Sequence, residues 1–320
     1  MSEPTNALPS APLATIGIST YNRADGYLSE ALRSALRQTY SNLEIIVSDN
    51  CSQDHTEELV RSFRDPRIRY FRQARNLGVN GNFNFCLEQA RGSYFLLLHD
   101  DDLIDPDFIQ VCMDAVGDKE VGVIRTGTRR IDSRGHVLSE SRNRVGGRST
   151  AEFILGWFRR ETSIYFCSMM YNTRRLIEIG GFQSKTDLFQ DAVAAVRLAS
   201  RFGRVDVPDV KASFRRHDAN NGTTARVADW CEDSLYLLDV MCEEAPEEAE
   251  HIRQAGMPYF CRKNYRQARS IPSRIRRLSA YWMVFRTFEY SYSPWSFVYS
   301  RARPVKRARS IVRRALPQRA

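Results

Sequence analysis

Residues 94–106 read YFLLLHDDDLIDP, so three consecutive carboxylates, Asp100 to Asp102, follow the most strand-like run of the chain. Like charges held together at the end of a buried strand repel one another. A divalent cation bridging them to a polyphosphate relieves that repulsion. A hard ion such as Mg2+ or Mn2+ takes oxygen ligands and leaves positions open for substrate phosphates. The competing reading is a solvated acidic turn, with Asp105 capping a helix whose first residue is Pro106. Other polar residues recur at the ends of apolar runs: Thr20, Tyr21 and Asn22 after residues 14–19, and Asp49 and Asn50 at the end of residues 43–49.

For these residues to converge, the ends of the apolar runs must meet at one edge. The runs ATIGIS (14–19), LEIIVSD (43–49), RIRYF (67–71) and SYFLLLH (93–99) alternate with amphipathic stretches at 26–40, 56–63, 82–91 and 106–116. In the first stretch Leu28, Leu32, Ala35, Leu36 and Tyr40 share one helical face. Short continuous apolar strands separated by such helices predict parallel βαβ units with both sheet faces covered. Ligands of these sheets sit beyond the carboxyl ends of the strands, which is where the polar residues fall. STYNRADG stands where a dinucleotide fold would place G-x-G-x-x-G, and no phosphate-binding G-x-x-x-x-G-K-[ST] loop occurs. Nucleotide binding must then use side chains and metal.

The 320 residues are long enough for two structural units. No run of about 18 apolar residues predicts a membrane span, and the N-terminus lacks the basic and apolar regions of a secretory signal. Seven cysteines without a C-x-x-C pair predict reduced thiols and a cytoplasmic protein. The net charge of +9 conceals a division. From Met257 onward there are 16 Lys or Arg and one acid, Glu289, whereas the preceding residues carry 31 basic and 37 acidic side chains. The tail must be read separately.

The segments ISTYNR (18–23), ALRSALRQTYSNLEIIVSDNCSQDHT (31–56), RNLGVNGNFNFCLEQARGSYFLLLHDDDLIDP (75–106), IEIGGFQ (177–183) and FQDAVAAVRLA (189–199) resemble, in order and spacing, the family 2 glycosyltransferases, inverting enzymes of GT-A fold. The resemblance covers about residues 13–220. It implies an α/β, Rossmann-like, mostly parallel sheet flanked by helices, and transfer of a sugar from a nucleotide-diphospho-sugar donor to an acceptor hydroxyl with Mn2+ or Mg2+. The product would be a polysaccharide or glycoconjugate of a bacterial surface. Residues 1–12 are read as a disordered lead, 13–225 as the catalytic domain and 226–320 as a helical, basic region.

The resemblance also distributes roles. Asp49 would bind the donor's base, Asp54 would cap the helix after it, and Thr20 and Tyr21 would line the nucleotide. The family's metal motif is commonly D-x-D. Aligned on the proline, His99 stands at the first Asp, Asp100 at the variable position and Asp101 at the metal-binding acid. Asp101 is therefore the expected ligand, with Asp100 assisting through ribose or water and His99 read as a satisfied core histidine. Where the family has Glu-Asp at a helix start, this chain has Gln190-Asp191. Asp191 is the expected base, with Asp187 as fallback. Loss of the acidic neighbour is expected to lower its pKa or alter acceptor contacts, and the helix N-terminus to favour its ionised form. SFRRHDANNG (213–222) resembles a late motif that makes His217 a possible second metal ligand and Arg215 or Arg216 a phosphate contact.

Elsewhere, 128–138 predicts a hairpin turning at Ser133, Arg134 and Gly135, and 168–182 a strand and short helix ending at Gly180-Gly181. Residues 139–165 are read as a mobile segment over the acceptor cleft. In the tail, 229–244 predicts a helix, and Tyr281, Phe285, Phe288 and Tyr292 predict an aromatic helix face reaching Pro294. Residues 304–316 form a basic amphipathic pattern suited to an anionic membrane surface, consistent with a peripheral protein on the inner face of the cell membrane and a lipid-linked glycan acceptor. No nucleic-acid motif accompanies the basic charge, so no nucleic acid is expected. A reading of a different kind is a non-catalytic sugar-nucleotide-binding or scaffolding protein, with His99 and Gln190 as its departures from the motifs.

Overall fold

The computed structural model describes residues 11–217 and 225–302. Strands β1 (Ala14–Thr20), β2 (Leu43–Asp49), β3 (Ile68–Arg72) and β4 (Tyr94–His99) are linked by helices α1 (Leu28–Leu36), α2 (Thr56–Ser62) and α3 (Gly78–Glu88). They pair in parallel in the order β3-β2-β1-β4. All seven residues of β1 and of β2 are buried, which explains their unbroken character. The two sheet faces feed separate cores. Leu96 and Leu98 of β4 join one cluster with Ile16, Ile18, Ile45 and Val47, while Phe95 and Leu97 join the other with Ile46 and Cys86. Gly17 permits this closeness, because a Cβ there would meet the Phe95 ring at 2.7 Å and Cys86 Cβ at 2.9 Å.

Beyond β4 the chain departs from a parallel pattern. It turns sharply into β5 (Leu103–Ile104), then α4 (Phe108–Val116), and a hairpin of β6 (Val123–Ile131) and β7 (Val137–Ser141). The hairpin turn lies where the sequence places it: Gly135 adopts φ +84°, and Asp132 accepts bonds from the backbone N–H of Arg134 and His136. After α5 (Thr150–Phe158), strand β8 (Met169–Asn172) runs antiparallel between β4 and β6. Helices α6 (Thr173–Glu178) and α7 (Gln190–Phe202) follow, and the long β9 (Arg204–Arg215) pairs with both β6 and β5. The sheet is thus mixed and mostly parallel in its first half.

Residues 139–165 are not a mobile cover. Helix α5 starts from a Ser149–Glu152 capping box, and its apolar run from Phe153 to Trp157 is buried in the core. A helix apolar on nearly every side has to be enclosed.

The C-terminal helices are α8 (Val227–Glu243), α9 (Ala249–Ala268), α10 (Arg274–Thr287) and α11 (Pro294–Ala302). Phe260, Tyr265, Val284 and Phe297 from these helices belong to the same core cluster as Phe95, Phe182 and Phe189. The expected aromatic helix is shorter than its pattern. It ends at Thr287, and Glu289 and Tyr290 take positive φ values of 50° and 60°. Pro294 opens the next helix instead of breaking this one. Residues 1–10, 218–224 and 303–320 lie outside the described residues, and with them the basic pattern at 304–316.

Candidate active site

The parallel register brings the expected residues to one edge. Thr20 stands opposite Asp49 across β1 and β2, and Ser19 stands opposite His99 across β1 and β4. The loops beyond these strand ends tie each other in place. Asn22 N donates to Ser52 Oγ at 2.9 Å, Gln53 N to Asn22 Oδ1 at 2.8 Å, and Ala24 N to Asp54 Oδ2 at 3.0 Å. Asp54 also accepts from Thr56 N and Oγ1 at the start of α2, the helix-capping role expected of it. Asn22 and Cys51 hold left-handed φ values of 52° and 68°, a strain that such cross-linking sustains.

Asp49 is buried and already bonded on both oxygens, accepting from Ser52 N at 2.8 Å and Tyr70 Oη at 2.6 Å. It nevertheless lines a cleft with Ser52 and Arg72, and each carboxylate oxygen keeps a second acceptor position. Tyr21 is 44% exposed and free to present a ring face. Thr20 Oγ1 is buried without a hydrogen-bond partner among the described residues, and Asp100 is pushed up to about 7, first by burial and then by the charge of Asp101.

Two of the three aspartates, Asp101 and Asp102, are held from behind by the end of β9. Arg215 N donates to Asp102 Oδ1 at 2.8 Å, Arg215 Nε to the Asp101 carbonyl at 2.9 Å, and Arg215 Nη2 to Glu30 at 2.6 Å. The buried guanidinium also stacks on the Tyr27 ring. Arg215 is therefore a clamp on the acidic turn and not a phosphate contact, because its donors are engaged within the fold. Arg216 is exposed. His217 Nε2 lies 2.9 Å from Asp101 Oδ2, with its ring against Tyr27. Burial raises the Asp102 pKa well above the usual carboxylate range, and the charge of Asp101 adds to it.

His99 corrects the expectation of a satisfied core histidine. Its ring stacks on Phe83 and tilts against Phe166, yet Nε2 is buried without a hydrogen-bond partner among the described residues. Burial lowers its pKa, with the Asp101 charge opposing, so the imidazole is neutral and carries a lone pair. Ligand atoms of His99, Asp101 and Asp102 lie within 4.8 Å of one another. One unpartnered imidazole nitrogen and two carboxylates form a donor set that fits a divalent cation, Mn2+ more readily than Mg2+ because of the nitrogen.

Asp191 occupies the first turn of α7, where its Oδ1 accepts from Ala192 N at 2.7 Å. Its pKa is not lowered but pushed up to about 7: burial dominates, and the Ala192 bond and the Lys263 charge only partly offset it. Lys263, from α9, sits 4.2 Å from the centre of the Phe189 ring and 5.3 Å from that of Trp157, and burial brings its own pKa down to about 8. Burial raises the pKa of the Tyr165 hydroxyl, and the charges of Asp191 and Asp102 add to it. Gln190 is buried, with Nε2 unpartnered among the described residues. Asp187 adopts φ +60° and is raised by burial and by Asp233.

Two contributors were invisible to motif reading because α8 and α9 supply them. One is Lys263. The other is Asp233, a fully buried carboxylate that accepts from the backbone N–H of Lys185, Leu188 and Phe189 and from Ser184 Oγ, at 2.7 to 3.1 Å. It shapes the loop that delivers Asp191.

Residues 15–179, from β1 through α6, match the family Glycosyl transferase family 2. An uncharacterized protein of Mycobacterium tuberculosis is 30% identical over 239 residues, covering 69% of this chain and 72% of that protein. An uncharacterized glycosyltransferase of Rickettsia conorii is 38% identical over 253 residues, 78% of this chain and 41% of that protein. Chondroitin synthase of Escherichia coli is 32% identical over 139 residues, 42% of this chain, and the match spans 20% of that enzyme's length. Among solved structures, S. aureus TarS in complex with UDP-GlcNAc superposes with a TM-score of 0.59 at 14% identity, covering 92% of this chain and 93% of that one. A mannosyltransferase from Pyrobaculum calidifontis, in complex with GDP-Man and Mn2+, gives 0.56 at 17% identity over 92% and 80% of the two chains. The fold is that of the GT-A glycosyltransferases, and on its matched residues the chain belongs to glycosyl transferase family 2.

Proposed function

We propose that this protein is an inverting, metal-dependent glycosyltransferase that moves a sugar from a nucleotide-diphospho-sugar to an acceptor hydroxyl in glycan assembly. The observation that supports it most is the donor set His99, Asp101 and Asp102 at the strand edge, together with a carboxyl at the start of α7, Asp191, poised at about 7. The UDP-GlcNAc of TarS and the GDP-Man and Mn2+ of the mannosyltransferase support a nucleotide-sugar and a divalent metal here.

Asp101 and Asp102 would hold Mn2+ or Mg2+ with His99, and His217 would steady Asp101 or join as a weaker ligand. Bound there, the ion supplies Lewis-acid stabilisation of the departing diphosphate. Asp49 accepts from the donor's base, the Tyr21 ring stacks on it beside Thr20, and Asp100 faces the ribose. Asp191 takes the proton of the acceptor hydroxyl as that oxygen bonds to the anomeric carbon. The opposite bond, from that carbon to the diphosphate oxygen, breaks with its electron pair, and the configuration inverts. A glycan or lipid-linked glycan at the inner face of a membrane is the proposed acceptor, which suits a cytoplasmic, peripheral protein.

The test is Asp191→Asn with a competent donor and acceptor. Transfer should fall at least about a hundredfold while nucleotide binding persists, and NMR of the wild-type product should show the anomeric configuration opposite to the donor's. Transfer by Asp191→Asn at the wild-type rate means the base lies elsewhere.

A further inference from the structure

Exposed large apolar side chains are concentrated in the last two described helices. Ile275, Leu278 and Trp282 of α10 are 82%, 60% and 56% exposed and stand at i, i+3 and i+7, one face of the helix. The opposite face, Tyr281 and Val284, is buried in the core. The helix therefore carries two apolar faces, of which the fold covers one. The outer strip continues past the helix end. Tyr290, held in a left-handed conformation, packs on Phe285 with ring centres 4.9 Å apart and lies 6.5 Å from Trp282. Helix α11 repeats the arrangement: Phe297 is buried against Tyr265 and Tyr281, while Trp295, Val298 and Tyr299 are exposed.

The charge of these segments is nearly all of one sign. Between Arg269 and Ala302 there are six arginines and one acid, Glu289, and the seven basic residues of 303–320 follow without an acid. Arg274, Arg276 and Arg286 are exposed and form no ion pair among the described residues. A second copy of this chain would set arginine against arginine, whereas an anionic surface with an apolar interior meets both features. Exposed Trp and Tyr, apolar in body and polar at the tip, suit the boundary between headgroups and acyl chains. No helix among the described residues is long and apolar enough to cross a membrane, so contact would be made by lying on it.

We propose that the α10–α11 face seats this protein on an anionic phospholipid bilayer, with Ile275, Leu278, Trp282 and Trp295 entering the interface and the flanking arginines meeting the headgroups. The proposal rests on the membrane setting of the proposed function and names the surface that makes the contact; sugar transfer itself does not depend on it, so the two fail separately. The full chain is tested by flotation with phosphatidylcholine vesicles, with and without phosphatidylglycerol. Binding should need phosphatidylglycerol and weaken with salt. It should fall about tenfold or more in Trp282→Ser/Trp295→Ser and in Arg274→Glu/Arg276→Glu/Arg286→Glu. A nucleotide thermal shift equal to wild type shows that these variants are folded. Failure of the full chain to bind, or equal binding by folded variants, overturns the proposal. So does a concentration-dependent dimer that the Trp substitutions dissolve, since the face would then be covered by another copy.

Discussion

Asp191 carries a consequence for pH at the level of a single residue. Its folded pKa of about 7 stands above the ordinary value of 3.8, so a base of this kind is half ionised only near neutrality. The transfer rate should rise with pH through about 7 and plateau above it, measured as kcat/KM against pH. Lys263 favours the ionised form, so Lys263→Met should move that limb to higher pH. Stability runs the other way. The folded protein keeps a proton that the unfolded chain has released, so this contribution is full below the ordinary carboxyl pKa and is lost as pH rises through about 7, at roughly 1.4 kcal/mol per unit. Asp191→Asn lacks that loss, and its stability relative to wild type should grow between about pH 4 and pH 7 in chemical denaturation and level off above. The placing of Asp101 and Asp191 was legible in the sequence; the upward shift of Asp191 was not. Burial in the folded chain sets the shift and Lys263, some seventy residues downstream on α9, opposes it, whereas a local helix-terminus argument sees only the Ala192 bond. His99 was misread for a related reason: its ring is packed as a core residue would be, and only the environment of Nε2 sets it apart.

Among the elements, β9 and α8 do the positioning. Strand β9 returns Arg215 and His217 to the acidic turn more than a hundred residues after it: Arg215 N donates to the Asp102 carboxylate, its guanidinium to the Asp101 carbonyl, and an ion pair with Glu30 anchors the guanidinium. Asp233 of α8 does the same for the loop before α7. Removing it takes the carboxylate acceptor from three loop N–H groups, leaving Lys185 N without one and Leu188 N and Phe189 N with only Ser184 Oγ. Asp233→Ala should therefore cost about 3 kcal/mol or more in denaturant unfolding, and should lower transfer by displacing Asp191 while leaving metal-dependent nucleotide binding largely intact. The parallel units up to β4 were legible because each strand, its helix and the next strand are neighbours in sequence. Strand β8 between β4 and β6, and the pairing of β9 with β6, are long-range choices that no local period encodes. Helix α5 was missed because Arg, Gly and Ser around it masked a compact apolar run.

Across the whole molecule, charge and core divide the chain differently. The basic tail suggested a separate region, yet its helices share a core with the sheet and supply Asp233 and Lys263 to the site. Charge is a property of the surface and says little about which apolar faces are joined. The arrangement gives the C-terminal helices two roles: their inner faces complete the site, and the outer faces of α10 and α11 remain apolar and basic. In the proposed function, the strand-end acids bind a nucleotide through a divalent cation. This is tested most directly by calorimetric titration of the protein with UDP, dTDP and GDP, each with Mn2+ and with EDTA, in wild type and Asp101→Ala. One nucleotide should bind with Mn2+, EDTA should abolish or strongly weaken binding, and Asp101→Ala should reduce the Mn2+-dependent part about tenfold or more. Absence of binding by any of the three with Mn2+, or binding indifferent to both EDTA and Asp101→Ala, would contradict it and return the acidic turn to a structural role.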